Sequence, residues 1–212
     1  MNTGEHIIIS GTGRCGTTFL MMIYSYLNQG TNFPTDPDRL KRFIDKHSGS
    51  GLELLNVEVT KERVVKAPAY LIGLKSKIDS NPWLKDRIKY VIIPIRDYEK
   101  CAESRVNLGD HPLGGIDFNR VNLSSEITDV IGKKALQDWN HKDMLATYLK
   151  TMVEYDLDTI FLDFDRMVSS PKYLWDKINS SFINDITYDQ FLVAWEIANN
   201  HQKDKSQRNV KI

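Results

Sequence analysis

The 212 residues carry 28 Lys plus Arg against 28 Asp plus Glu, so the net charge is zero and no global field draws the chain to nucleic acid or an anionic membrane. Hydrophobic residues at 41% and charged residues at 26% are the balance of one folded globular domain, which excludes a disordered or fibrous chain. Two cysteines are too few for a disulfide framework, and no run approaches the about 20 apolar residues of a membrane span. With five residues ahead of the first strand, which begins at His6, and no room for a signal peptide, we expect a cytoplasmic protein whose basic chemistry is local.

In chain order, Ile7-Ile8-Ile9 reads as a buried strand that passes through the loop Ser10 to Thr18 into an apolar helix beginning near Phe19. Asn28 to Ser50 is polar, broken by Gly30, Pro34 and Pro37, and reads as a long connection with a short helix around Asp38 to Asp45. Val64-Val65 marks a short strand ending in Lys66-Ala67-Pro68, with a helix from Tyr70 to about Ser80. Tyr90 to Arg96 is nearly all apolar, as a central parallel strand is, and Pro94 belongs near its end or at an unpaired position. A helix from Tyr98 to Val106 and a glycine-containing loop from Gly109 to Asn122 follow.

Glu126 to Tyr155 is helical, in two pieces, with Met144, Leu145, Tyr148, Leu149, Met152 and Val153 as a core stripe. Asp158 to Phe164 is the next buried strand, and helices at Pro171–Phe182 and Tyr188–Asn199 precede a polar tail from about 201. Strands alternating with helices predict a single α/β domain over 1–212, three layers deep with a mainly parallel sheet. Ligands of such sheets bind beyond the carboxyl ends of the strands, where the first loop, Lys66 and Arg96 fall.

The loop carries the chemistry. Three glycines in six positions, Gly11, Gly13 and Gly16, stand between a strand and a helix N-terminus, where backbone N–H groups and the helix dipole favour an anion. An ATP- or GTP-binding loop reads G-x-x-x-x-G-K-[ST]; here Thr17 takes the lysine position and the positive charge sits at Arg14.

Gly-Thr-Gly-Arg-Cys-Gly-Thr-Thr-Phe-Leu at 11–20 resembles the 5′-phosphosulfate-binding loop of the sulfotransferases, a family that uses 3′-phosphoadenosine 5′-phosphosulfate (PAPS) and has a P-loop NTPase-like fold. Arg96-Asp97 followed by Ser104 matches that family's second motif, in which Arg and Ser hold the 3′-phosphate. Phe164-Asp165-Arg166-Met167 with Ser170-Pro171, and Lys66-x-Pro68, are similar to two further family segments. The resemblance covers residues 6 to 180. It implies sulfuryl transfer from PAPS to a hydroxyl or amine of a small-molecule, glycan or lipid acceptor, without a metal.

It also implies roles. Gly13, Arg14, Cys15, Gly16, Thr17, Thr18 and Phe19 would cradle the 5′-phosphosulfate, with Arg14 stabilising charge on the leaving side. Lys66 would donate to the bridging oxygen or the sulfate. Asp36 is the nearest acid to the position of a catalytic base, with Asp38, His47 and His111 behind it. Departures from the family are the histidine missing beside Lys66 and the absence of any glycine after Gly132, where Lys203, Lys205 and Arg208 would have to substitute. Trp83, Trp139, Trp175 and Trp195 are all candidates to stack on adenine. His and Cys show no metal-ligand spacing. Two other readings stand beside the sulfotransferase: a nucleotide-dependent kinase or phosphotransferase with an altered loop, and a non-catalytic nucleotide-binding protein.

Overall fold

A computed structural model of the protein describes residues 5–46, 52, 60–66, 70–106 and 130–208. The isoleucine run forms strand β1, His6–Ile9, with every side chain buried, and such a strand needs a neighbour on each edge and a layer on each face. β1 pairs with β2, Val64–Lys66, on one side and β3, Ile88–Ile95, on the other; β4, Thr159–Asp163, adds beyond β3. The order is β2-β1-β3-β4 and every pairing is parallel.

Alternation along the strands divides the core. Ile7, Ile9, Val64, Ile92 and Leu162 face α1 (Thr17–Tyr26), α2 (Pro37–Lys46), α6 (Phe164–Ser169), α7 (Pro171–Ile178) and α8 (Tyr188–Arg208). Ile8, Val65, Val91 and Ile93 face α3 (Tyr70–Ser80) and α5 (Val130–Glu154), and α4 (Tyr98–Val106) packs on α5. Helices on both faces of one parallel sheet make the expected α/β architecture, consistent with three layers.

Local chemistry sets several boundaries. α1 stops where Asn28 turns left-handed at φ 52°, with the Gln29 N–H bonded to the Tyr24 carbonyl at 2.9 Å. Asp163 accepts from the Arg166 N–H at 2.8 Å to start α6, and Ser170 accepts from the Tyr173 N–H at 3.2 Å to start α7, with Pro171 as its first residue. The Ser10 N–H bonds the Ile92 carbonyl at 3.0 Å, and two residues on, the missing N–H of Pro94 falls on the same side of β3, past the last paired residue of β1, Ile9.

Three expectations change. Over the described part of the span predicted from Glu126 to Tyr155 as two pieces, α5 is one helix of 25 residues that continues through Gly132. Of its predicted stripe, Met144, Tyr148 and Met152 are buried and Leu145 is half-buried, whereas Leu149 is 41% and Val153 81% exposed. The buried line advances in steps of four residues, and 149 and 153 lie one helical step further round, past the edge of the core. α8 continues to Arg208 through the first part of the predicted tail, with His201 buried. Between α3 and β3, Pro82–Arg87 forms a 3₁₀ segment that hydrophobic periodicity does not signal.

Candidate functional site

Parallel strands bring the carboxyl ends of β1, β2 and β3 to one edge. From Ser10 the chain enters the loop, where Gly13 (φ 87°), Arg14 (φ 58°) and Gly16 (φ 97°) take left-handed conformations. Arg14 takes this conformation at a cost, without the freedom of a glycine. At Gly16 a side chain is excluded twice, since a Cβ would also fall 2.7 Å from the Met167 Cε and 2.7 Å from the Phe164 ring of α6. Gly16 is the N-cap of α1, and its carbonyl accepts from the Leu20 N–H at 3.3 Å. The N–H groups of Thr17, Thr18 and Phe19 lie in the first turn, ahead of the first intrahelical donor, Leu20, at the positive end of the dipole.

Burial pushes the pKa of the Cys15 thiol up, while the backbone N–H groups of Gly13, Cys15 and Thr17 and the charge of Lys66 pull it down.

Cationic side chains arrive from three elements. Arg14 Nε donates to Ser104 Oγ of α4 at 3.1 Å, and an Arg96 terminal nitrogen, at the end of β3, donates to the Arg14 carbonyl at 3.1 Å. The Arg96 guanidinium carbon lies over the Phe164 ring at 4.6 Å from its centroid, a cation–π contact. Arg96 Nε is buried with no hydrogen-bond partner, and neither arginine has a carboxylate partner among the described residues. Burial, and after it the charge of Arg96, lowers the Arg14 pKa. From β2, Lys66 reaches Thr18 Oγ1 at 3.0 Å while only 1% exposed. The loop without a lysine at 17 therefore has one delivered from the neighbouring strand.

The structure thus brings together Gly13 to Phe19, Lys66, Arg96 and Ser104. Arg14 points to Ser104, on the side expected for a 3′-phosphate, and Lys66 is the cation at the head of α1. The carboxylate of Asp36 accepts from the Arg39 N–H at 2.8 Å, capping α2, and the residue is exposed. His47, His111, Pro68 and the loop Gly109 to Asn122 lie outside the described residues. Lys203 is exposed on α8, and the side chains of Lys205 and Arg208 are outside the description. Trp195 packs edge-on to Phe19 with centroids 6.5 Å apart, Trp175 sits in an aromatic cluster with Phe182 and Phe191, Trp83 lies against Arg87, and Trp139 is on the outer face of α5.

Three contributors escape the sequence reading as parts of the site. Phe164 supports both Gly16 and Arg96; Cys101 Sγ approaches the Arg14 carbonyl at 3.8 Å; Tyr148 OH donates to the Gly11 carbonyl at 3.4 Å across from α5. A tyrosine in an otherwise apolar stripe, whose hydroxyl needs a polar partner, was the available signal for the last.

Among the described residues no group of three or more His, Cys, Asp or Glu is placed to hold a metal, and no helix is long and apolar enough to cross a membrane. Compared with known proteins, the chain matches no family model and no curated sequence.

Proposed function

We propose that the chain is a PAPS-dependent sulfotransferase with a P-loop-like nucleotide site, transferring a sulfuryl group to a hydroxyl or amine of a small-molecule, glycan or lipid acceptor. The observation that carries this reading is the meeting of Arg14, Arg96 and Lys66 around a helix N-terminus, with no carboxylate partner for either arginine among the described residues. Two guanidinium groups held together repel each other, and a multiply charged anion relieves that repulsion.

The assignments follow from reach. The N–H groups of the first turn of α1, with the hydroxyls of Thr17 and Thr18, bind the 5′-phosphate and the sulfuryl group. Arg96, Arg14 and Ser104 take the 3′-phosphate, guanidinium groups suiting a planar two-point grip on phosphate. Lys66, held at Thr18, is the donor nearest the bond that breaks. In the transfer the acceptor oxygen or nitrogen bonds to sulfur, the bond from sulfur to the phosphate oxygen breaks, and charge builds on that oxygen, where a fixed ammonium stabilises it. The acceptor's proton leaves to a base.

The test is selective stabilisation. 3′-Phosphoadenosine 5′-phosphate without Mg²⁺ is expected to stabilise the protein by about 2.7 kcal/mol at a hundredfold excess over its dissociation constant, and Mg-ATP by much less. Stabilisation by Mg-ATP alone would establish the phosphotransferase reading instead.

A further inference from the structure

The outer face of α5 carries side chains that the core does not use. Trp139 is 52%, Leu149 41% and Val153 81% exposed, and Ala146 is exposed between them. Positions 139, 146 and 153 are seven apart, and 142 and 149 are seven apart and interleave with them. That is the spacing of a heptad seam, with Lys142 the single charged member. The seam points away from the sheet, opposite the buried line of Met144, Tyr148 and Met152.

Charges beside the seam fall into two sets. Lys142 pairs with Asp138 at 2.6 Å and Glu154 pairs with Lys75, both within the chain. Asp143 and Lys150, which flank the seam on one edge, are exposed and have no ion-pair partner among the described residues. When two copies of this helix lie antiparallel with Ala146 of one against Leu149 of the other, Val153 falls on the methylene stem of Lys142, which can cover it. The same register sets Asp143 of each copy beside Lys150 of the other, twice, by the two-fold axis. A surface whose unpaired charges are complementary to themselves, on a chain of zero net charge, fits a copy of itself.

We infer that the protein self-associates as a two-fold dimer through antiparallel α5 helices, seam to seam. The proposal is independent of the sulfotransferase reading, because the face contains no residue of the anion site. One helix pair buries an area at the low end for a specific interface, so the dimer is weak and concentration-dependent.

Sedimentation equilibrium of the full chain up to about 300 μM is expected to reveal a monomer–dimer equilibrium in the micromolar range. Val153→Glu, at a site 81% exposed where folding is not at stake, weakens the dimer at least tenfold, roughly the effect of one unpaired charge in an apolar seam. Asp143→Lys weakens it too, by placing like charges together, and the double variant Asp143→Lys/Lys150→Asp restores it to within about threefold of the original. A monomer throughout the range overturns the proposal. So does a dimer indifferent to Val153→Glu, or one that the double swap fails to restore. Circular dichroism and thermal midpoints of each variant separate loss of association from loss of fold.

Discussion

Gly16 and Arg96 are the two residues on which most of the site turns. An alanine at 16 must hold φ near 97° and push its Cβ into Phe164 and Met167. The conformational cost, together with overpacking, is expected to lower stability by roughly 2–4 kcal/mol, measurable by urea denaturation. Arg96 is a different kind of residue, since its burial is not repaid by any described acceptor at Nε. Arg96→Ala should weaken binding of the 3′,5′-bisphosphate by about 10- to 100-fold, the loss of charged hydrogen bonds, while leaving a 3′-dephosphorylated analogue nearly unaffected by calorimetry. Equal loss for both ligands would remove Arg96 from the 3′-phosphate. Phe164 acts through Arg96, so Phe164→Leu should reproduce part of that selective loss and Phe164→Tyr should not.

At the scale of elements, the opposite end of β1 holds a histidine that ties three segments. His6 Nδ1 donates to the Glu62 carbonyl at 2.8 Å ahead of β2, which leaves Nε2 to accept from Arg87 at 2.7 Å ahead of β3. The ring is therefore neutral, and burial, followed by the positive charges of Arg87 and Arg63, lowers its pKa below the ordinary 6.5, against the carbonyl bond. A histidine whose folded pKa is depressed contributes stability that is fully present above the unfolded value and is lost as pH falls below it. The thermal midpoint should therefore decline from about pH 6.5 downward, and His6→Asn, which keeps a donor for the Glu62 carbonyl, should flatten that decline relative to the parent. Parallel curves for the two proteins would place the titration elsewhere.

The same elements explain what was legible beforehand. The strand–loop–helix unit at 6–26, β2, α3 and α4 announce themselves because local pattern and tertiary demand agree there, whereas β4 reads as one more buried strand and is instead a sheet edge on which only Leu162 is buried and Phe161 is exposed. The convergence of the first loop, Lys66 and Arg96 was legible as three strand ends, since a parallel sheet puts all such ends on one edge. Asp36 illustrates the limit: an acid at a suitable distance along the chain is also the residue type that caps a helix, and only the Arg39 N–H contact tells which use it has. Leu149 and Val153 fit a helical stripe as well as Met144 and Tyr148 do, because periodicity gives a line of residues and not the width of the face a neighbour covers. Phe164 under Arg96 depends on where β4 places α6, which no local signal encodes.

On the scale of the whole molecule, the two cysteines measure how tightly the site is built into the core. Cys15 lies in the loop between β1 and α1, and Cys101 lies in α4; each has no exposed surface. Cys15 adds a thiol pKa raised by burial, so the reactive thiolate is scarce in the folded state. Alkylation must wait for opening. Because both thiols are fully buried, one in the β1–α1 loop and one on α4, which packs on α5, we expect both to label with iodoacetamide at least about a thousandfold more slowly than in guanidinium, and at rates that track global stability. The bisphosphate at a hundredfold excess over its dissociation constant should slow both a further hundredfold or so, since a ligand of the folded state depletes every open form alike. Rapid labelling of Cys15 with Cys101 still protected would mean that the loop opens by itself; the left-handed turn at Arg14 would then be a hinge, and the arginine pair a latch closed by the anion.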